Sequence, residues 1–548
     1  MRRQQRNRPD LPMTKRPNIP HHPRLPRQPI WCNPVTVPAK FFSAKRRESV
    51  SDFSSSERIS RMPSKLSLIR WRQHFTSGFL LALFFGLLTG VWIVWSLRLK
   101  WQTGAHGDFF WSWAIGHWEW THHTIFLANP ATWNGSALQG PWVNLEWGWQ
   151  ALLGLLGPHL THAPLLLVLS AITWLGAWIL SGILLWTLWP PSRHHIVPWL
   201  LLASCLSLIT GFWTLRPQIL SAVFWPILLL ILWVGRSHPR TYTALIPLTL
   251  IWSNIHGDYL LIPLLLAVDG AEAFYHRDPV QARRVIGWLI TVFALIILGT
   301  PAHIHTITYA VQLSHNPWIA RGISEWWSPN FSQPFWLVVL GLWVISLLAV
   351  WHRRLPVIVL IWWGGTVCAT LLHNRFFLYN APLTALLLAA ALTPPNSPSL
   401  AWSWRPYAAA AIGGALLTWA LWPFSWTAYL HTPHYRAAMI AWTQQHPTAG
   451  LLLVPYSDAG EWEAAHVPHI YIDGRADLFL TRSTRFQTYI HWNQGLISVT
   501  PLIRQGVREI IWPTANPQDV YLRTAHWHPV FHADQLTVWR PSYRLPSG

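Results

Sequence analysis

From residue 78 to residue 426 the chain is a succession of apolar stretches separated by short polar turns. This feature constrains the fold most, because a bilayer admits only backbone that satisfies its own hydrogen bonds, and a helix needs roughly 20 apolar residues to cross. Stretches of this kind lie at about 78–97, 164–189, 195–213, 217–235, 242–255, 259–275, 285–303, 335–350, 355–372, 376–392 and 407–426. The pattern predicts an α-helical polytopic membrane protein with about eleven transmembrane helices. A further apolar run, 147–156, is too short to span and is expected to lie in the interface.

The charges set the expected orientation. Net charge is +20, yet residues 1–76 carry 17 Lys and Arg against 4 Asp and Glu, so +13 of it belongs to one Pro-, Arg- and Ser-rich tail. That tail shows no hydrophobic periodicity and is read as disordered and cytosolic. With 51% hydrophobic and 11% charged residues and 42 Trp, the chain suits a bilayer and its interfaces. Its basic character therefore points to membrane lipid and not to nucleic acid. Arg193, Arg236, Arg240, Arg277, Arg283, Arg284, Arg353, Arg354 and Arg405 then fall in cytosolic loops. Arg216, Arg321 and Arg375 fall in the opposite ones. This asymmetry predicts an N-terminus inside and a C-terminus outside the cytoplasmic (plasma) membrane. A basic segment of about 75 residues is too long for the n-region of a cleavable signal, so the first span is expected to anchor the chain. Cys32, Cys205 and Cys368 are too scattered for a disulfide framework or a Cys-based metal site.

After about residue 430 the character changes. Short strands are expected near 450–455, 469–473, 509–513, 530–532 and 536–539, with helices near 435–446, 482–492 and 501–505. The expected organisation is a cytosolic tail (1–76), a transmembrane domain (77–429) with a first external loop at 98–163, and a small external α/β domain (430–548).

In this topology the polar residues gather on the external face. His106, Asp108, Glu119 and Glu146 come first, followed by Arg216, Gln218, His256 and Asp258. His303, His305, Glu325, His373, Asn374 and Arg375 complete the set. Ionisable groups at membrane edges are costly and mark cavities or pathways. Asp108 and Glu146 stand in aromatic surroundings with Trp111 and Trp142, so a carboxylate can act as general base beside a sugar stacked on tryptophan. Arg216 and Arg375 are suited to phosphate oxygens. The histidines of this set show no His-x-x-x-His pairing, so no metal ligands are assigned, although a divalent metal stays open.

Several of these residues stand in motifs. DFFWSWAIG at 108–116 is similar to D-x-W-W-H-L-x-x-G, and WVNLEW at 142–147 to W-x-x-H-E-W. LRPQILS at 215–221 is similar to R-P-Q-L-F-S, WSNIHGDY at 252–259 to W-x-N-x-H-G-G-F, and SEWWSPNF at 324–331 to E-W-x-S-P-x-F. IDGRAD at 472–477 matches outright. Together, in this order, they resemble a family of bacterial polytopic membrane glycosyltransferases of the GT-C type, the class that includes protein O-mannosyltransferases. The resemblance runs from about residue 100 to 480. It implies a polyprenyl-phosphate sugar donor, an external acceptor (glycan, lipid or protein), and a catalytic carboxylate in the first external loop, at Asp108. The chain departs from the pattern at Phe110, Ser112, Leu145 and Asp258, which replace a Trp, two His and a Gly.

The resulting expectation is a GT-C-like glycosyltransferase with Asp108 as base and Glu146 as second carboxylate. Trp111, Trp142, Arg216, Gln218, His256, Asp258, Glu325 and Arg375 line the substrate or hold its phosphate. Asp473, Arg475 and Asp477 either fix a turn through an internal ion pair or recognise the acceptor. Two other readings compete with it. One is a transporter or flippase for a lipid-linked saccharide, which predicts polar groups along a mid-membrane path. The other is a catalytically inactive membrane scaffold, a reading that the missing motif histidines keep open.

Overall fold

The structure, a computed structural model, describes residues 107–129, 140–155, 163–190, 197–212, 214–352, 355–392, 412–413, 416 and 436–542. The expected tail, the span at 78–97 and the bulk of the span at 407–426 lie outside these residues. The described residues are mostly helical up to Leu392. Among them, three helices are long and apolar enough to cross a membrane: Gln218–Ser237, Pro279–Gly299 and Asn374–Leu392.

Helix Phe377–Leu392 is the axis of the helical part, with every residue from Phe377 to Ala390 buried. It packs against Val197–Leu208, Pro334–His352 and Val357–Leu372. Side-chain hydrogen bonds tie the last two of these to it, since polar groups in apolar surroundings find partners on other helices. Trp343 Nε1 donates to Asn380 Oδ1 (2.7 Å), Asn380 Nδ2 to Thr366 Oγ1 (3.0 Å), and Trp363 Nε1 to Thr384 Oγ1 (3.1 Å). Helix Pro279–Gly299 lies at the periphery and leaves Ile286, Ile290 and Leu298 exposed, as a lipid-facing helix would.

One stretch differs from its expected form. The run at 242–255 forms a 3₁₀ segment, Pro239–Ala244, and then an eight-residue helix, Leu245–Trp252. At about 1.5 Å per residue, such a helix covers only part of a bilayer. The chain then turns through residues 253–256 into a second 3₁₀ segment, Gly257–Leu260, and helix Leu261–Tyr275. That turn carries His256 and Asp258 to the end of the helical layer.

The first described helix, Gly107–His122, crosses the short helix Trp147–Gly154 at very close range. A Cβ on Gly116 would sit 1.8 Å from the Gln150 carbonyl oxygen, and one on Gly154 would sit 2.3 Å from the Gly116 backbone. Only paired glycines let the two backbones meet this way. The crossing places Asp108, in the first turn of one helix, near Glu146, which precedes the other.

Ala128–Asn129 (β1) pairs antiparallel with Gly140–Pro141 (β2), and the C-terminal residues form a four-stranded sheet of order β3-β4-β6-β5, with β3 Leu451–Leu453, β4 Val507–Pro513, β5 Trp527–Ala533 and β6 Leu536–Pro541. β3 runs parallel to β4, and the remaining pairings are antiparallel. β5 and β6 are joined by Asp534 and Gln535, both at positive φ, as a tight two-residue hairpin requires. No strand forms at the expected 469–473. His469 takes φ 63° and breaks the extension, leaving a single bridge between Leu452 and Ile470. The helices Ala459–Ala464, Ala476–Arg482 and Gln518–Thr524 were not anticipated.

One hydrophobic core joins this sheet region to the first loop. Trp111, Ile115, Phe126 and Trp142 pack in the same cluster as Leu453, Tyr471, Ile472, Phe479 and Trp512.

Candidate active site

An open cavity of about 900 Å³, mouth included, lies where the ends of the helices meet the C-terminal region. Ten of the anticipated residues line it: Asp108, Trp111, Trp142, Glu146, Arg216, Gln218, His256, Glu325, Arg375 and Asp477. Trp111 and Trp142 supply aromatic wall.

Asp108 is held at both oxygens. Trp111 Nε1, one turn further along the helix, donates to Oδ1 (3.1 Å), and Arg216 Nη2 pairs with Oδ2 (2.7 Å). Arg216 reaches Glu325 through its other terminal nitrogen (2.6 Å), while its Nε is buried with no hydrogen-bond partner among the described residues. Burial works against the Arg216 charge, but Asp108 and Glu325 more than offset it, so its pKa is raised.

Glu146 is in a different electrostatic state. It is the N-cap of helix Trp147–Gly154, but its side chain makes no capping bond and projects into the cavity. The turn before it is braced by Asn144, whose Oδ1 accepts from the Glu146 amide (3.1 Å) and whose Nδ2 donates to Gln150 Oε1 (2.6 Å). Burial, with Asp477 and Asp108 nearby, pushes the Glu146 carboxyl up to about 8. At neutral pH this group is therefore largely protonated and can donate a hydrogen bond. A carboxyl raised by folding contributes stability that is fully present below its unfolded pKa, near 4.5, and is lost as pH rises through about 8. Glu146→Gln is accordingly expected to melt higher than the parent at pH 9, with the gap closing as pH falls. Melting curves across pH 5–9 check this, and a gap independent of pH contradicts it.

The second arginine is set more deeply. Arg375 Nη2 lies 3.5 Å from Asp258 Oδ1 and 3.2 Å from His256 Nε2, and the guanidinium stacks over Trp326 at 5.0 Å. Asp258 does not line the cavity. Its carboxylate is engaged by Arg375, His256 and the Tyr379 hydroxyl.

The IDGRAD turn divides its charges. Asp473 and Arg475 are fully buried and ion-paired with each other (2.5 Å), and Glu463 reaches the same guanidinium (3.1 Å). Asp477 instead lines the cavity, where its Oδ2 accepts from Trp142 Nε1 and Tyr309 OH, each at 2.7 Å. Burial raises its pKa, and those two donors oppose the shift. Gly474 presses against the catalytic candidates: a Cβ there would fall 2.3 Å from Trp111 Nε1 and 2.4 Å from Asp108 Oδ1.

Tyr456, Trp326 and the apolar Leu313, Ile319 and Ile323 also line the cavity and were not anticipated. Trp326 stood in the SEWWSPNF motif, which was its available signal. His303 and His305 do not line the cavity, and His373 contacts the Trp326 carbonyl (2.8 Å) in a bracing role. Among the described residues, no group of three or more His, Cys, Asp or Glu is arranged to hold a metal ion.

No family model and no curated protein matches the chain. Among solved structures it is similar to the archaeal oligosaccharyltransferase AglB from Archaeoglobus fulgidus in complex with an inhibitory peptide and a dolichol-phosphate. That likeness has a TM-score of 0.48 at 12% identity, covering 79% of this chain and 69% of that one. The Archaeoglobus fulgidus oligosaccharyltransferase in its apo form gives a TM-score of 0.46 at 13% identity, with the same coverage.

Proposed function

We propose that this chain is an integral-membrane glycosyltransferase of the GT-C type. It moves a sugar from a polyprenyl-phosphate donor to an acceptor on the external face of the plasma membrane. In this reading the N-terminal tail is cytosolic, residues 77–429 form the multi-pass domain, and residues 430–548 form an external α/β domain that closes over the site.

The observation carrying the proposal is the cavity itself. It brings an oriented carboxylate, a carboxyl raised to about 8, two arginines and three tryptophans to one end of a layer of apolar helices. The acceptor hydroxyl attacks the anomeric carbon, its proton passes to Asp108, and the C–O bond to phosphate breaks with its electron pair on the phosphate oxygen. Arg216 and Arg375 stabilise the charge that develops there, the role in which preorganised cations contribute most. Asp108 is suited to be base because Trp111 and Arg216 fix its orientation in the cavity wall. Glu146, protonated, donates to a sugar or phosphate oxygen, and Asp477 accepts from a hydroxyl.

The test is release of polyprenyl phosphate by the purified protein in lipid nanodiscs. It is supplied with polyprenyl-phosphate hexoses and pentoses and with glycan, lipid and peptide acceptors. Consumption of a donor that depends on an acceptor supports the assignment; no consumption of any donor overturns it.

A further inference from the structure

The groups behind Arg375 have a consequence for how it works. Its guanidinium has only N–H donors, so a ring nitrogen 3.2 Å from Nη2 must be an acceptor. A ring that accepts there through Nε2 carries its proton on Nδ1. Nδ1 has matching partners, with Asp258 Oδ2 at 3.1 Å and Ser221 Oγ at 3.0 Å. Ser221 is itself fixed by Trp252 Nε1 (2.8 Å), and Asp258 by the Tyr379 hydroxyl. The second partner of a histidine selects its tautomer in this way. An imidazolium would set one N–H against another across the same gap.

We propose, building on the lipid-phosphate reading, that His256 and Asp258 are positioning residues: they hold an imidazole with its proton on Nδ1 and its Nε2 aiming Arg375 at the donor phosphate. Three supports define the guanidinium plane, namely His256 Nε2 at one edge, Asp258 behind it and the Trp326 face beneath it. His256 is 4% exposed and lies in a turn between two helices, so its ring has little freedom to leave this arrangement. A preorganised arginine loses less freedom when it binds an anion than a mobile one does.

The test is binding of geranylgeranyl monophosphate to the full chain in nanodiscs, with inorganic phosphate as the headgroup-only probe. Arg375→Ala and His256→Ala are each expected to weaken isoprenyl-phosphate binding about tenfold, which corresponds to about 1.4 kcal/mol. The double variant is expected to lose little more than either single one, because both act through the same contact. His256→Gln, which keeps an acceptor at the Nε2 position, is expected to restore binding to within about threefold of the parent, a difference well under 1.4 kcal/mol. Should His256→Ala not fold, His256→Leu fills the space without the acceptor and takes its place. Parent-level binding by His256→Ala or →Leu, or losses that multiply in the double variant, overturns the positioning role alone. A parent protein that binds no isoprenyl phosphate overturns the lipid-phosphate reading, and this inference with it.

Discussion

Replacing Asp108 by Asn is expected to slow sugar transfer by roughly 10²–10⁴-fold, the range associated with a positioned general base. The variant should still fold. Asn keeps the shape of Asp and an oxygen that accepts from Trp111 Nε1, and Arg216 retains its second partner, Glu325. What disappears is the proton acceptor for the incoming hydroxyl. Initial rates of polyprenyl phosphate release, measured over a range of donor concentration, should show the loss in kcat with KM little changed. Parent-level turnover by Asp108→Asn would remove this residue from the chemistry.

The second large effect falls on stability. Arg475→Ala is expected to cost about 3–5 kcal/mol, the range for removing one partner of a buried ion pair. Arg475 is 1% exposed; its Nη2 bonds Asp473 Oδ2 at 2.5 Å and Glu463 Oε1 at 3.1 Å, and its Nε bonds Asp473 Oδ1 at 3.0 Å. Without it, two carboxylates stay buried without their shared cation. The guanidinium also lies 5.6 Å from the centre of the Trp142 ring, which forms part of the cavity wall. Damage to the turn should therefore reach the site through Gly474, which touches Asp108 and Trp111. Arg475→Lys keeps the charge and loses the planar fork, so an intermediate loss is expected. Denaturant or thermal melts of the three proteins check the order, and equal stabilities contradict it.

How much of this could be read in the sequence varies with the range of the contact. Asp108, Glu146, Arg216, Gln218, His256, Glu325 and Arg375 stand at the ends of apolar stretches in polar motifs, and alternation of those stretches assigns them to one face. Local pattern suffices for that. The place of Asp477 depends on Trp142, 335 residues away in the chain, and on Tyr309. No periodicity carries such a contact. Asp258 shows the same limit in reverse. Its position in the WSNIHGDY motif suggested a cavity-facing carboxylate, yet that carboxylate is engaged by Arg375 and the Tyr379 hydroxyl. The hairpin at 527–541 lay close to the expected strands, because alternating apolar residues flank a two-residue turn. The expected strand at 469–473 failed at a single backbone angle at His469, which composition does not encode.

In the proposed function the cavity holds a lipid-phosphate sugar and Asp108 acts on it. Native mass spectrometry of the protein purified with its own lipids, parent beside Asp108→Asn, tests both parts at once. The expected result is a retained polyprenyl-phosphate sugar, more abundant in the variant that cannot turn it over. Ordinary phospholipid alone in both proteins would contradict it.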